Sequence, residues 1–422
     1  MSEKPVSDKP VFEKPVDDVP VDDRPVVDAQ APEPPAPAQP APKRTRFGPP
    51  AILLGAGLAG LLVLPFYADS FWLQAGLFAM SAAVGAIGLN VLTGAAGQLS
   101  IGHAFFLAIG AYSYVWLAAE PEKVSGHELT GMGLPTWLAA LAAVVVAGLA
   151  GGVCAPLAGR LKGASLGVAT LALVFIGQHI LFRAEPVTGG VNGRAVPPLE
   201  LFGIRFADVP DPALILGVPF GALERLWYLG LAVLVVAAWF ARGVLRSRPG
   251  RALNTVRDNE IAAGALGVPV SRFRASAFVL SSMYAGLAGV LLALVFQRTV
   301  PDYFGLALAL DYLAMIVIGG LGSVGGAVLG AVFVSILPPL LTRYGGSLPL
   351  VAEPGSASGL APAEAARLVY GAVFVAVLLF LPYGLLGLFT RIRPRNRHRT
   401  GPPRRGGAHG PSNSHDLEER KA

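Results

Sequence analysis

Residues 88–112 read GLNVLTGAAGQLSIGHAFFLAIGAY. Asn90, Thr93, Gln98, Ser100 and His103 stand among glycines and alanines, with apolar runs at 71–92 and 101–118 leading into and out of the segment. Runs of that length suit a hydrocarbon core about 30 Å thick. Polar groups at such depth are tolerated only where they are buried in protein or line a wet cavity. The segment therefore belongs to the inside of a membrane-embedded helical bundle. Together with Gly94 and Gly97, these five polar residues are candidates for a substrate path. The alternative for any single one is a hydrogen bond that only joins two helices.

The composition agrees with that reading. Of 422 residues, 53% are hydrophobic and 14% charged, and mean hydropathy is +0.58; a soluble chain carries about 25% charged residues. Much of the charge sits in two tails, since 1–46 holds 7 basic and 9 acidic residues and 393–422 holds 8 and 3. Apolar runs fall at 51–67, 71–92, 101–118, 135–158, 164–182, 226–241, 275–297, 306–320, 326–342 and 367–388. The expectation is an all-α polytopic membrane protein of about ten spans, with a range of eight to ten. Residues 47–392 form the membrane domain. It includes a cytoplasmic loop at 242–274 and a long external loop at 183–225.

Orientation follows from the basic residues. Placing Arg44 and Arg46 inside puts Arg160, Lys162, the 242–274 arginines and the Arg-rich C-terminus inside as well. Both termini are then cytoplasmic. The net charge of +6 comes from these regions and is not a nucleic-acid signal. The N-terminal tail repeats Pro-Val at Pro5, Pro10, Pro15, Pro20 and Pro25. Its composition cannot offset ordering entropy, so both tails are expected to be disordered.

Catalytic signatures are missing. Cys154 is the sole cysteine, which excludes an intramolecular disulfide and a Cys-rich metal site. The two G-x-G-x-x-G strings, Gly55/Gly57/Gly60 and Gly320/Gly322/Gly325, lack the strand and acid of a dinucleotide site and read as packing or turn glycines. No G-x-x-x-x-G-K-[ST] occurs, so the chain has no P-loop. Ser100 and His103 lack an orienting acid. No cofactor and no metal are expected.

A second polar stretch, RALNTVRDNEIAAGALG from Arg251 to Gly267, has helix-start signals at Ser247 and Pro249 and stop signals at Gly267 and Pro269. The reading is a cytoplasmic helix running between those start and stop signals. Ala262, Ala263 and Gly267 let another surface approach, and Arg257, Asp258, Asn259 and Glu260 offer polar contacts. An amphipathic helix lying on the membrane is the alternative, for which a mostly alanine face is a weak anchor.

At these two stretches the chain resembles the permeases of branched-chain amino acid ABC importers, specifically the LivM-type subunit. Further matches are Thr188-Gly189-Gly190 with Asn192-Gly193 and Pro197, IGGLGSVGGAVLGA at 318–331, and LVYGAVFVAVLLFLPYGLLGLF at 368–389. They fall in order across roughly 51–389. The resemblance implies a second, related permease, two ABC ATPases on the cytoplasmic face, an external substrate-binding protein and a bacterial plasma membrane. It implies leucine, isoleucine or valine as cargo, with urea, short amides or other amino acids as alternatives. Ala262, Ala263 and Gly267 match the family's E-A-A-x-x-x-G coupling motif, but Ile261 stands in the acid's place and Glu260 lies one residue earlier. The Pro-Val tail and the Arg-rich tail fall outside the family pattern. Two rivals remain from other classes. An ion-coupled carrier would need carboxylates within its spans, and only Asp311 qualifies. A membrane-embedded enzyme would need an acid/base constellation that the sequence does not display.

Overall fold

In lipid a backbone can satisfy its hydrogen bonds only internally, and, as far as they are described, the apolar runs become helix. The computed structural model describes residues 49–124, 127–161, 163–207, 213–215, 218–344, 362–380 and 384–385; the tails at 1–46 and 393–422 lie outside them. The chain divides after Ala56 into two units. Residues 49–56 of the first are helical, and the description below concerns the second.

The helices are α1 (Pro49–Val63), α2 (Ser70–Asn90), α3 (His103–Ala118), α4 (Thr136–Arg160), α5 (Ala164–Arg183), α6 (Glu185–Thr188), α7 (Ala222–Arg246), α8 (Arg248–Asp258), α9 (Glu260–Ala265), α10 (Val270–Phe296), α11 (Leu306–Gly319), α12 (Val324–Tyr344) and α13 (Pro362–Phe380). Short antiparallel pairs join β1 (Glu122–Val124) to β2 (His127–Leu129), β3 (Arg194–Ala195) to β8 (Arg298–Thr299), β4 (Glu200–Leu201) to β5 (Ile204–Arg205) and β6 (Ala213–Ile215) to β7 (Val218–Phe220). These pairs confine the strands to the end of the bundle opposite α8 and α9.

Among the described residues, six helical stretches are long and apolar enough to cross a membrane: α2 with its continuation to Ala95, α4, α5, α7, α10 and α12. The 16 residues of α3 and 14 of α11 reach about 24 and 21 Å. Most residues of α3 and half of those of α11 are buried, so neighbouring helices cover much of their surface. The expected runs at 226–241 and 275–297 extend to Arg246 and back to Val270. Helical hydrogen bonding does not stop where hydrocarbon ends, and long arginine side chains keep their charge in water beyond that edge.

The bundle is built around α2 and α10. Apolar burial gives no drive for association in lipid, so small residues that let backbones approach matter most. A Cβ on Gly110 of α3 would lie 2.2 Å from the Gly286 carbonyl oxygen of α10, and one on Gly289 would lie 2.1 Å from that of Leu107. Gly88 of α2 receives the Tyr284 side chain, and Gly330 of α12 faces the Met315 carbonyl of α11. Gly85, Gly88, Gly286, Gly289, Gly326 and Gly330 all have close neighbours on other helices. Gly57 and Gly60 do not: a Cβ on either meets nothing within 4 Å. Among the described residues neither meets a close neighbour, so the packing reading of the first G-x-G-x-x-G string finds no partner helix there. Gly320 and Gly322 adopt positive φ in the turn between α11 and α12.

Several basic residues at the end of the bundle away from α8 have counter-groups. Arg343 pairs with Asp69 at 3.0 Å, Arg205 with Glu200 and Lys123 with Glu128. Arg225 and Arg298 donate to backbone carbonyls. Arg194 is 4% exposed and donates to the carbonyls of Thr130, Val187 and Glu120, tying three loop segments together. Burial lowers its pKa, opposed by the Glu122 charge. Replacing Arg194 with methionine strands those carbonyls and is expected to cost about 2 kcal/mol. Thermal unfolding in detergent checks this, and an unchanged midpoint would remove Arg194 as the tie.

Candidate functional site

After Asn90 the α-helix loosens into a π turn at Val91–Ala95, a distortion that recurs at functional positions. Gly97 follows at φ +68°, and the chain runs without regular structure until a turn at Ile101–Gly102 opens α3 at His103. The polar residues expected here are all drawn into the chain. Asn90, Gln98, Ser100 and His103 are buried, whereas Thr93 is partly buried and Gly97 exposed.

Several of them hold the break in place. The Asn90 amide donates to the Ser323 carbonyl at 2.7 Å and accepts from the Gly322 N–H at 2.8 Å, so α2 is bonded to the α11–α12 turn. Gln98 donates to the Ala158 carbonyl near the end of α4. Ser100 accepts from the Gly102 N–H, and the Ile101 N–H donates to Thr170 of α5. His103 lies beside Tyr312 of α11, with ring centroids 5.0 Å apart. Among the described residues, Thr93 Oγ1, Gln98 Oε1 and His103 Nε2 are buried without a hydrogen-bond partner. Their polar capacity is unspent.

The α8–α9 segment differs from its sequence expectation. The single helix expected between Ser247 and Gly267 is split into α8 and α9 at Asn259, whose φ of −155° and ψ of 105° are extended. Asn259 Oδ1 accepts from the Ala262 N–H at 3.0 Å and caps α9. Asparagine is a favoured cap because its side chain replaces the missing helical acceptor. The small ridge is also split. Ala262 and Gly267 are exposed, but Ala263 is fully buried. Exposed Ile261 and Leu266, at 86% and 76%, flank Ala262 instead. Glu260 turns back to Arg274 in a two-pronged ion pair at 3.0 and 3.1 Å. It braces α9 on α10.

Arg257 brings the two stretches together. Its guanidinium donates from Nη1 to the Gly94 carbonyl at 2.6 Å and from Nε to Asp258 at 2.9 Å. The contact spans 163 positions in sequence. The family signature for the permease component of branched-chain amino acid transport systems matches residues 72–378, from α2 to α13. The chain belongs to that permease family.

LivM, the high-affinity branched-chain amino acid transport permease of Escherichia coli K12, is 28% identical over 362 residues, covering 82% of this chain and 77% of its own. LivH of the same strain is 28% identical over 162 residues, 38% of this chain and 46% of that one. The autoinducer 2 import permease LsrC of Klebsiella pneumoniae is 34% identical over 158 residues, covering 36% and 45%. No solved structure matches significantly. Membership in the permease family, with six helices of spanning length and hydropathy, makes this a multi-pass membrane protein of a bacterial transport family. Sequence reasoning missed Gly322, Ser323, Arg274 and Thr170 as partners of the site. The 318–331 match was the available signal for the first two.

Proposed function

We propose that the chain is one permease subunit of an ATP-driven importer that moves leucine, isoleucine or valine across a bacterial plasma membrane by alternating access. Both termini lie in the cytoplasm. A second related permease completes the pathway, two ABC ATPases dock from the cytoplasmic side, and an external binding protein delivers cargo. The chain itself is not catalytic.

One observation supports the architecture above others. Arg257, in the segment read as the ATPase dock, bonds directly to the broken end of α2, in the segment read as the path. Force applied at α9 would thus reach the wall of the pathway through a single side chain. The unspent polar atoms of Thr93, Gln98 and His103 support a role for that wall in meeting a polar solute. A partner shifts such an equilibrium only by contacting the two states differently, and the exposed Ile261–Ala262 and Leu266–Gly267 surface provides the contact.

The cargo has a second reading, urea, a short amide or another solute, because LsrC is a relative whose name records a different import. Labelled leucine uptake, competed with excess urea, in cells with and without the gene separates them. Loss of leucine uptake that urea does not displace is the expected result. Uptake independent of the gene would move the cargo to other small solutes.

A further inference from the structure

Three segments remote in sequence meet at one point: the C-terminus of α8, the π turn of α2 and the α11–α12 turn. The Arg257 stem passes Gly97, where a Cβ would lie 2.8 Å from its Cγ. Its Nη1 then reaches the Gly94 carbonyl at 2.6 Å. That carbonyl belongs to the last turn of a helix, where acceptors lack intrahelical donors and a cation is favoured by the helix dipole. Gly94 is closed in on its other side. A Cβ there would meet Gly322 N at 2.3 Å and Asn90 Oδ1 at 2.5 Å. Asn90 in turn holds both Gly322 and Ser323.

The attachment of α8 and α9 makes this contact a lever arm. Leu253 and Val256 bury one face of α8, and Ala263 with the Glu260–Arg274 pair fixes α9. Arg257 sits two residues before the extended Asn259, at the joint between the two helices. Asp258 accepts from Nε at 2.9 Å and also faces Nη2 at 2.9 Å, which orients the guanidinium plane while leaving Nη1 for Gly94.

We propose that Arg257 is the positioning residue through which movement of α8 and α9 opens and closes the broken end of α2, with Asn90 relaying that movement to the α11–α12 turn. The inference rests on the importer reading for its consequence, but not for the contact itself. In it, the bond from Arg257 to Gly94 is kept in one state of the cycle and released in the other. Lysine is no substitute, because a point charge cannot hold Asp258 and Gly94 together as a planar fork does.

Arg257→Met keeps the stem against Gly97 and removes every donor. In vesicles holding the complete complex, uptake per ATP hydrolysed is expected to fall about tenfold, with hydrolysis itself continuing. Arg257→Lys should recover little of it. A merely structural arginine would lower uptake and hydrolysis together, in proportion to the folded protein that remains. An uptake-to-hydrolysis ratio equal to wild type would overturn the proposal.

Amide hydrogen exchange of residues 90–98 in the purified chain reads the same contact without any transport. It should quicken about tenfold in Arg257→Met while α10 exchange stays unchanged. Unaltered exchange at 90–98 would also overturn the proposal. Wild-type vesicles that import nothing on ATP would instead sink the importer reading, and the exchange result would still decide the contact.

Discussion

Ala262→Trp is expected to reduce uptake tenfold or more while leaving the chain folded. Ala262 is exposed on α9 between Asn259, which caps the helix, and the buried Ala263. Its backbone N–H serves the cap and is untouched by a larger side chain. An indole there stands off any docked surface by several ångströms. Central contacts of a desolvated interface are worth about 2 kcal/mol or more, and 1.4 kcal/mol is a factor of ten. The same change one residue later has a different meaning. Ala263→Trp must enter a fully buried site and should prevent folding. Gly267→Trp is expected to uncouple hydrolysis from uptake as well, but φ there is +80°, so any side chain adds backbone strain, asparagine among the least. Gly267→Asn should therefore be tolerated. Uptake and ATPase co-purification measured for Ala262→Trp check the assignment. Wild-type values for both would mean that α9 is not the dock.

Gly110→Leu is expected to remove the folded protein. The approach of α3 to α10 leaves a Cβ at position 110 only 2.2 Å from the Gly286 carbonyl oxygen and 2.4 Å from its Cα. Both are backbone atoms of a central helix and cannot rotate aside as a side chain would. Overpacking typically costs 1–3 kcal/mol even where neighbours can shift, so about 3 kcal/mol is a lower figure here. That is a large part of the roughly 5–15 kcal/mol that holds a domain together. Gly152→Ala on the outer side of α4 is the control, because its Cβ would rest at an ordinary 3.9 Å from Val279. Thermal unfolding in detergent compares them. A stable Gly110→Leu protein would show that α3 and α10 do not pack as closely as described.

Helix positions were legible in the sequence because hydropathy reports the solvent of each segment directly. Where they are described, the apolar runs became helices, and the polar residues inside 88–112 did mark a broken helix. What the sequence hid were contacts fixed by geometry across long separations. Glu260 looked like a displaced docking acid, yet its partner Arg274 is 14 residues away across a bend. That bend depends on one asparagine acting as a cap rather than as a helix member. Ala263 and Ala262 are identical in composition and opposite in burial, because the interruption at Asn259 resets which face of α9 turns inward. The pairing of Arg257 with Gly94 had no local signature at all. Hydropathy is silent on which carbonyl a guanidinium selects.

The two central helices also impose an order on biogenesis. Most of the apolar window of α2 is enclosed by the rest of the chain, 89%, and 78% for α10, against about a third or less for α4, α5, α7 and α12. Yet α2 begins at Ser70 and α10 at Val270, so the ribosome delivers one long before the other. Until α10 arrives, the glycine notch at Gly88 faces lipid or an accessory insertase, and the amide of Asn90 waits longer still, for Gly322 and Ser323 of the α11–α12 turn. A nascent chain arrested after α7 would therefore display an unpaired α2 and become a substrate for membrane quality-control proteolysis, whereas one arrested after α12 would escape it.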